Sequence, residues 1–475
     1  MTQTSTAKGA APAVKVLPLF VVLLSGAFVA ILNETVLNVA LNRIMVQFDV
    51  AYSTVQWLVT GYMLVIGTLI PVSAYLMERF TTRQLFISAM TFLTIGTIIS
   101  GISPVFAVLL IGRLTQALGT ALIIPLLTNI ILTVIPLEKR GGAMGLIGLV
   151  ITFAPAIGPT LSGLIVEHLS WRWLFFLILP IGLFSLVLGI KVLKNVTEVT
   201  KPKLDILSFI LSTLAFGGIV YGFSSAGESS FSSPVVIVSL VVGFVSLIIF
   251  GFRQLKLKTP LLDIRVFTHP MFTLGIVLMM FVAMTMFALM IVLPMYMQGV
   301  LLFSAVTTGL MMLPGGVLNG LISPFMGRLF DRFGPRPLLV PGAIMLAIVV
   351  FTYRFTVEGT PMIMVIAQHL LLMVSISMIM MPAQTNALNQ LPLHLYPHGS
   401  AIANTLMQVA GAVGAALFIA ITENSQKSYL AGIAHPTAAQ TMEALKVGSQ
   451  HSFSIGFYFA CIVVILSLFV KKQEA

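Results

Sequence analysis

Two charged residues lie well inside apolar stretches of this sequence. Glu34 and Arg113 are each about eight residues from the end of a predicted membrane span, which is roughly 12 Å at 1.5 Å per residue. An ionisable residue within a span costs about 2.5–3.5 kcal/mol to insert and therefore indicates a functional site. We predict that Glu34 and Arg113 share a depth, face a central cavity and interact.

Such a pair predicts proton coupling. Burial disfavours the ionised form of a carboxylate, whereas a nearby cation favours it. If a conformational change alters either influence, Glu34 takes up a proton from one side of the membrane and releases it to the other, and substrate competes with the proton. The alternative is a static Glu34–Arg113 ion pair that only orders two helices.

Polar side chains elsewhere in the spans predict the wall of a substrate cavity. Asn404 and Gln408 are four residues apart, so they share one face of a helix. Gln56, Trp57 and Tyr62 begin a span and would lie at the mouth of the cavity. The full predicted set is Asn33, Asn38, Gln56, Trp57, Tyr62, Gln116, Tyr296, Gln298, Gln384, Asn386, Asn404 and Gln408.

The composition indicates an integral membrane protein. Of the 475 residues, 58% are hydrophobic and 8% are charged, whereas soluble domains carry about 25% charged residues. At about 20 apolar residues per span, the sequence predicts fourteen spans. They cover 16–42, 54–76, 84–101, 105–133, 143–166, 171–192, 204–224, 232–252, 271–298, 303–326, 337–356, 361–390, 400–422 and 451–470.

The basic residues predict the orientation of these spans. With both termini on one side, nineteen Lys and Arg residues fall in loops on that side and five on the other. Cytoplasmic loops carry the excess of basic residues, so both termini are expected on the cytoplasmic side of a bacterial plasma membrane. The net charge of +11 is therefore attributed to these loops, and no binding of nucleic acid is expected.

One charged phrase occurs twice in the chain, 253 residues apart. PVSAYLMERFTTR begins at Pro71 and PFMGRLFDRFGPR at Pro324, and both follow an even-numbered span. Equivalent loops on one side of the membrane indicate two parallel halves. The predicted organisation is an N-terminal segment 1–15, a six-helix bundle 16–192, a linker with two extra spans 193–262, a second six-helix bundle 263–470 and a tail 471–475.

Over nearly its whole length the chain resembles the fourteen-span drug:proton antiporters of the major facilitator superfamily, the EmrB/QacA type, and especially their lincomycin-resistance-like branch. Its second phrase is close to the family's loop motif, G-x-L-x-D-R-x-G-R-[KR]. RLTQALG from Arg113, GPTLSG from Gly158 and WRWLFFLILPIG from Trp171 resemble further family motifs. The family's first-span motif, L-D-x-T, has an aspartate where Asn33 stands, so the acid of this chain, Glu34, is displaced by one residue.

The resemblance implies an all-α major facilitator fold with two six-helix bundles and two extra central helices. It also implies that the repeated phrase stabilises one transport state, since its carboxylates can pair with arginines and with helix N-termini. The alternative is a topology signal with ordinary surface ion pairs. The implied gating residues are Glu78, Arg79, Arg83, Gly327, Asp331, Arg332 and Arg336.

A glycine-rich stretch in the fifth span is the last motif to which the resemblance assigns a role. The resemblance implies that Gly158, Pro159 and Gly163 form the hinge and seal of an antiporter. The alternative is ordinary packing of small residues between helices.

These observations predict a proton-coupled multidrug exporter of lipophilic or amphiphilic compounds that works by alternating access. A dedicated exporter of an endogenous amphiphile, such as a fatty acid, bile-type acid or lipid, remains the alternative. We expect no catalytic residue, metal site or cofactor other than the proton gradient, and partners limited to the lipid bilayer, small amphiphilic substrates and protons, with the chain acting as a monomer. An enzyme or receptor is disfavoured because only His369 of the seven histidines lies within a span, and the chain has no G-x-x-x-x-G-K-[ST] motif for ATP.

Overall fold

The computed structural model describes residues 16–37, 40–196, 199–200, 202–226, 231–431, 433 and 435–472. Within these ranges it has no β-strand, and fourteen helices are long and apolar enough to span a membrane. The predicted all-α class and number of spans are therefore confirmed. The helices are α1 Val16–Val36, α2 Trp57–Arg79, α3 Thr82–Gly101, α4 Phe106–Val134, α5 Arg140–His168, α6 Arg172–Val192, α7 Ile206–Ala226, α8 Pro234–Lys256, α9 Pro270–Gly299, α10 Ala305–Phe333, α11 Arg336–Thr352, α12 Met362–Asn389, α13 Tyr396–Leu430 and α14 Ala438–Phe469.

Several helix boundaries differ from the predicted ones because hydropathy measures how apolar a segment is and not where its helix begins or ends. The first helix ends at Val36 rather than at residue 42, and a separate short helix, Leu41–Phe48, follows it. The last helix begins thirteen residues before its predicted span over 451–470, with a capping box between Thr437 and Gln440. Polar residues can thus lie within a regular helix that extends beyond its apolar part.

The first six and the last six helices form two bundles. α1 packs on α4, α5 and α6, and its counterpart α9 packs on α12, α13 and α14. The bundles meet along two helix pairs, α5 with α10 and α2 with α13. Each pair joins the second helix of one bundle to the fifth helix of the other, as expected for two parallel halves. The extra helices α7 and α8 pack on each other, and α7 also contacts α2 and α13.

The two repeated phrases, 71–83 and 324–336, lie on one face of the molecule, which we call the motif face. Small residues bring α5 and α10 into backbone contact there. A Cβ on Gly327 would overlap the carbonyl group of Gly141, and a Cβ on Gly145 would meet the backbone at Ser323 and Pro324. Such close approach between membrane helices is typical of glycine-rich interfaces.

Candidate functional site

Arg113 is the centre of a buried polar cluster that joins α1, α2 and α4. Its Nη1 donates to the backbone oxygen of Asn33 at 3.0 Å, to the Asn33 Oδ1 at 3.3 Å and to the Gln116 Oε1 at 3.0 Å. Its Nε donates to the Leu58 carbonyl at 3.4 Å, and the guanidinium lies 4.2 Å from the centre of the Tyr62 ring. Neutral oxygens and a ring face therefore surround this buried charge.

Glu34 lies beside this cluster but forms no ion pair with Arg113. Among the described residues, no nitrogen of Arg113 lies within 4.0 Å of a carboxylate oxygen. Glu34 directly follows Asn33, whose carbonyl and side chain bind Arg113, so the carboxylate belongs to the same turn of α1. Glu34 is partly exposed, and Nη2 of Arg113 has no hydrogen-bond partner in the described part of the chain. A static Glu34–Arg113 ion pair is therefore not what holds α1 and α4 together in this structure.

Three of the predicted cavity residues, Asn33, Tyr62 and Gln116, belong to the Arg113 cluster. Tyr296 is instead buried in the second bundle, where its hydroxyl donates to the carbonyl of Thr356 and its ring packs edge-on against Phe453. The prediction that Tyr296 lines a cavity does not hold in this structure, because the polar end of its side chain is already paired within the bundle.

The other predicted cavity residues are dispersed. Asn386 is buried near the motif face and donates to the Lys471 carbonyl at 3.1 Å. Trp57 is exposed on one side and stacks on Tyr221 of α7, so it faces the extra helices. Asn404 donates to a carbonyl of its own helix at 2.7 Å. Gln384 is buried, Gln298 is exposed, Gln56 and Gln408 are partly exposed, and Asn38 lies outside the described residues.

The motif face carries a first set of hydrogen bonds between the two bundles. The Asp331 carboxylate, in the last turn of α10, accepts from the backbone N–H of Gly141 at 2.7 Å and of Gly142 at 2.8 Å. These amides open α5, where the helix dipole favours an anion. Beside them, Arg140 donates to the Asn389 Oδ1 at 3.0 Å and to the Tyr396 hydroxyl at 2.9 Å.

A second set lies at the pseudo-equivalent helix pair, α2 and α13. The His398 Nδ1 accepts from the backbone N–H of Asp263 at 3.1 Å. Its Nε2 therefore carries the hydrogen and donates to the Glu78 carboxylate at 3.0 Å. We call the Asp331, Arg140 and Glu78 contacts together the motif-face closure. All of the side-chain hydrogen bonds between the bundles that the described residues reveal belong to it.

The arginines of the repeated phrase make different contacts from its carboxylates. Arg83 donates to the Ile190 carbonyl at 2.8 Å, at the C-terminal end of α6. Arg336 donates to the Val470 carbonyl at 2.7 Å, at the end of α14. Arg79 donates to the Pro202 carbonyl at 3.5 Å, and Arg332 lies over the ring of Phe333. Arg83 and Arg336 thus complement helix C-termini within their own bundles, and within the described part of the chain no Arg or Lys pairs with Glu78 or Asp331.

The residues that complete the closure escaped the sequence reasoning. Arg140, Tyr396 and His398 were not among the predicted site residues. A usable signal existed, because KRGG (139–142) and YPHGS (396–400) each begin a fifth helix of a bundle on the side of the repeated phrase. Glycine at such a position leaves backbone amides accessible to a carboxylate of the facing helix.

The two glycines of the predicted hinge occupy different environments. α5 is helical throughout from Arg140 to His168, and the side chain of Pro159 lies outside the described part of the structure. A Cβ on Gly158 would lie 2.5 Å from the Thr35 Oγ1 of α1, next to Glu34, whereas a Cβ on Gly163 would meet nothing within 4 Å. Close packing therefore requires glycine at 158 but not at 163.

Outside the spans, one ion pair joins the ends of the extra helices. Arg253 Nε and Nη2 donate to the two oxygens of Asp205 at 2.7 and 2.8 Å. These bonds, with two further ones from the hydroxyl and the backbone N–H of Ser208, hold the pKa of the Asp205 carboxyl well below its usual range. The pair fixes the start of α7 against the end of α8.

Comparison with known proteins finds matches along almost the entire chain. The family model described as Major Facilitator Superfamily matches residues 23–415. The lincomycin resistance protein LmrB of Listeria monocytogenes is 50% identical over 461 residues, which cover 97% of this chain and 98% of the relative. The multidrug resistance protein B homolog of Mycobacterium tuberculosis is 25% identical over 473 residues, covering 93% and 88%. The solved structure of the proton:xylose symporter XylE superposes with a TM-score of 0.65 at 16% identity, covering 97% of this chain and 96% of that one, and this likeness concerns the fold alone.

Proposed function

Because the chain belongs to the major facilitator superfamily, we propose that it exports lipophilic or amphiphilic drugs in exchange for protons by alternating access. Relatives named for resistance to lincomycin and to multiple drugs support the drug class. The observation that carries the proton coupling is Glu34, a partly exposed carboxylate in the last turn of α1. Among the described residues it pairs with no cation, and the nearby Arg113 guanidinium keeps an unpaired Nη2.

The orientation is part of the proposal. The excess of basic residues in loops on the side of the repeated phrase supports a cytoplasmic motif face. With that assignment the motif-face closure seals the cytoplasmic side, as an outward-facing state in the plasma membrane requires.

The cycle follows from these two features. In the outward-facing state Glu34 takes a proton from outside as substrate leaves. Breaking of the motif-face closure then lets the bundles rock and exposes the site to the cytoplasm. Movement of Arg113 toward Glu34 favours the ionised carboxylate, so the proton leaves inside and the next substrate binds. Because substrate and proton compete for the Glu34 carboxylate, the cycle exchanges one for the other across the membrane.

The unpaired Nη2 of Arg113 favours a second candidate, the export of an endogenous amphiphilic anion such as a fatty acid or bile-type acid. Arg113 is, however, completely buried beneath the Tyr62 ring. A carboxylate substrate would have to displace that ring, whereas a cation or donor group can reach Glu34 directly. For this reason we prefer cationic or neutral amphiphiles.

The test is efflux from proteoliposomes with and without an imposed pH gradient. The panel contains lincomycin, a lipophilic cation, a neutral amphiphile and a long-chain carboxylate. Wild type and Glu358→Gln, which removes an exposed carboxylate, should export in response to the gradient. Glu34→Gln should lose this response. Full gradient-driven export by Glu34→Gln would refute the assignment of the proton site, and export of the carboxylate alone would favour the second candidate.

A further inference from the structure

The second bundle contains a buried imidazole for which the proposed cycle has no role. His369 is the eighth residue of α12, just as Arg113 is the eighth residue of α4, and its side chain is almost wholly buried. Arg113 packs on Tyr62 of α2. His369 packs on Gly315 of α10, which follows Tyr62 by the 253 residues of the repeat. The imidazole is therefore the second bundle's counterpart of the Arg113 guanidinium.

Two buried acceptor atoms lie along this contact. The Nε2 edge of the His369 ring lies against α10 at Gly315, and its Nδ1 has no partner among the described residues. One turn beyond Gly315, the Asn319 amide donates weakly to the Met373 sulfur at 3.7 Å, and its Oδ1 also lacks a partner. Because Met373 is one turn beyond His369, both acceptors belong to one face between α10 and α12. Buried polar atoms are nearly always paired with protein or with water, so two unpaired acceptors on one face form a place that a hydrogen-bond donor can occupy.

The position of this face allows access from the space between the bundles. Next to Gly315, Gly316 packs on Ala156 of α5, the helix that faces α10 across the bundle interface. Pro314 precedes this glycine pair within α10, and proline followed by small residues is a common site of helix bending. Bending of α10 at this point would separate it from α12 and uncover the acceptors to the space between the bundles.

We propose that His369 and Asn319 bind a hydrogen-bond-donating group of the substrate, an ammonium or a hydroxyl. This proposal rests on the proposed export function and narrows its substrate class. An acceptor pair without a donor attracts N–H and O–H groups and repels carboxylates. A substrate that reaches from the Glu34 region to this face contacts both bundles, so its binding is sensitive to their relative position.

The test compares the binding of two matched ligands in detergent, where no gradient is needed. One is a lipophilic tertiary amine, protonated at pH 7. The other is its N-methylated quaternary counterpart, which keeps the charge but has no N–H. Wild type should bind the amine about tenfold more tightly, the effect of one good hydrogen bond.

Three variants separate the possible roles of the imidazole. His369→Gln places an amide near the position of Nε2 and loses the Nδ1 acceptor, so it should abolish the preference for the amine while quaternary binding stays unchanged. Asn319→Leu should reduce the preference in the same way. His369→Asn places an amide near Nδ1 and should retain most of the preference.

Two results would overturn the proposal. One is a wild-type protein with no preference for the amine. The other is an equal loss of affinity for both ligands in His369→Gln and Asn319→Leu, because that result indicates a purely structural role. A protein that discriminates the two ligands in detergent but shows no gradient-driven export would contradict the proton coupling and leave this site standing.

Discussion

Replacing Asp331 by asparagine should open the motif face. The carboxylate accepts two backbone hydrogen bonds from the first turn of α5, at 2.7 and 2.8 Å. Asparagine has the same shape but no charge, and only one of its two polar atoms is an acceptor. Its NH2 group would therefore face one of the two amides, donor against donor.

The size of the effect follows from these two bonds. A hydrogen bond to a charged group contributes about 1.5–3 kcal/mol and a neutral one about 0.5–1.5 kcal/mol. Losing one bond and weakening the other should cost the closed state about 2–3 kcal/mol. This figure allows for water, which replaces part of the lost hydrogen bonding. This cost corresponds to a shift of about 30- to 150-fold toward the open motif face. The Arg140 and Glu78 contacts remain, so the variant should still fold and insert.

Distance measurements between spin labels report this shift directly. Labels at Lys139 and Phe333, which are both exposed and lie on opposite sides of the closure, can be introduced after Cys461→Ser removes the only native thiol. Wild type should show one short distance at the motif face, and Asp331→Asn should add a longer one. Export should fall to background at unchanged protein level. Glu138→Gln is the matched control, because it removes an exposed acid from the same face.

Either of two results would refute this reasoning. A single short distance in Asp331→Asn would mean that the two hydrogen bonds do not bias the closed state. Wild-type export by a variant whose motif face is measurably open would mean that the closure has no role in transport.

Three further predictions follow from the same contacts. Gly327→Ala should abolish export because its Cβ would overlap the Gly141 carbonyl, whereas Gly163→Ala should retain it because nothing lies within 4 Å of its Cβ; equal export by both would contradict the packing argument. Arg140→Lys should reduce export severalfold in the proteoliposome assay, since an ammonium cannot serve the acceptors that the guanidinium fork reaches. Asp205→Asn should lower the melting temperature in detergent at neutral pH. Because the Asp205 pKa is depressed in the folded state, its contribution is complete above pH of about 4, the unfolded value, and is lost as the pH falls further, so wild type and variant should converge in acid.

The central cluster shows how far residue types alone can lead. A carboxylate and a guanidinium within the spans mark a site, and the structure does bring Glu34 and Arg113 into one region. Sequence reasoning paired them directly, because opposite charges in an apolar medium attract. The partners that Arg113 in fact binds are a backbone carbonyl and the side chains of Asn33 and Gln116, and no hydropathy pattern identifies such partners.

The two copies of the repeated phrase differ where their local geometry differs. Gly334 has a φ angle of 81°, which lies in the left-handed region that favours glycine. The corresponding Thr81 has φ −71° and caps α3 through a capping box with Gln84, so this position needs no glycine. Thr81 departs from the glycine of the motif, and ordinary helix capping explains this difference.

The sequence alone determined that the protein spans the membrane, how many membrane-spanning helices it has and that it is duplicated into two halves. Each depends on composition along the chain or on a spacing within it, and apolar segments of sufficient length must satisfy their backbone groups as helices in lipid. Only the tertiary structure decided which groups meet. Arg113 binds a residue 80 positions away and Asp331 binds amides 189 and 190 positions away, and such contacts arise from how the bundles pack rather than from any local pattern.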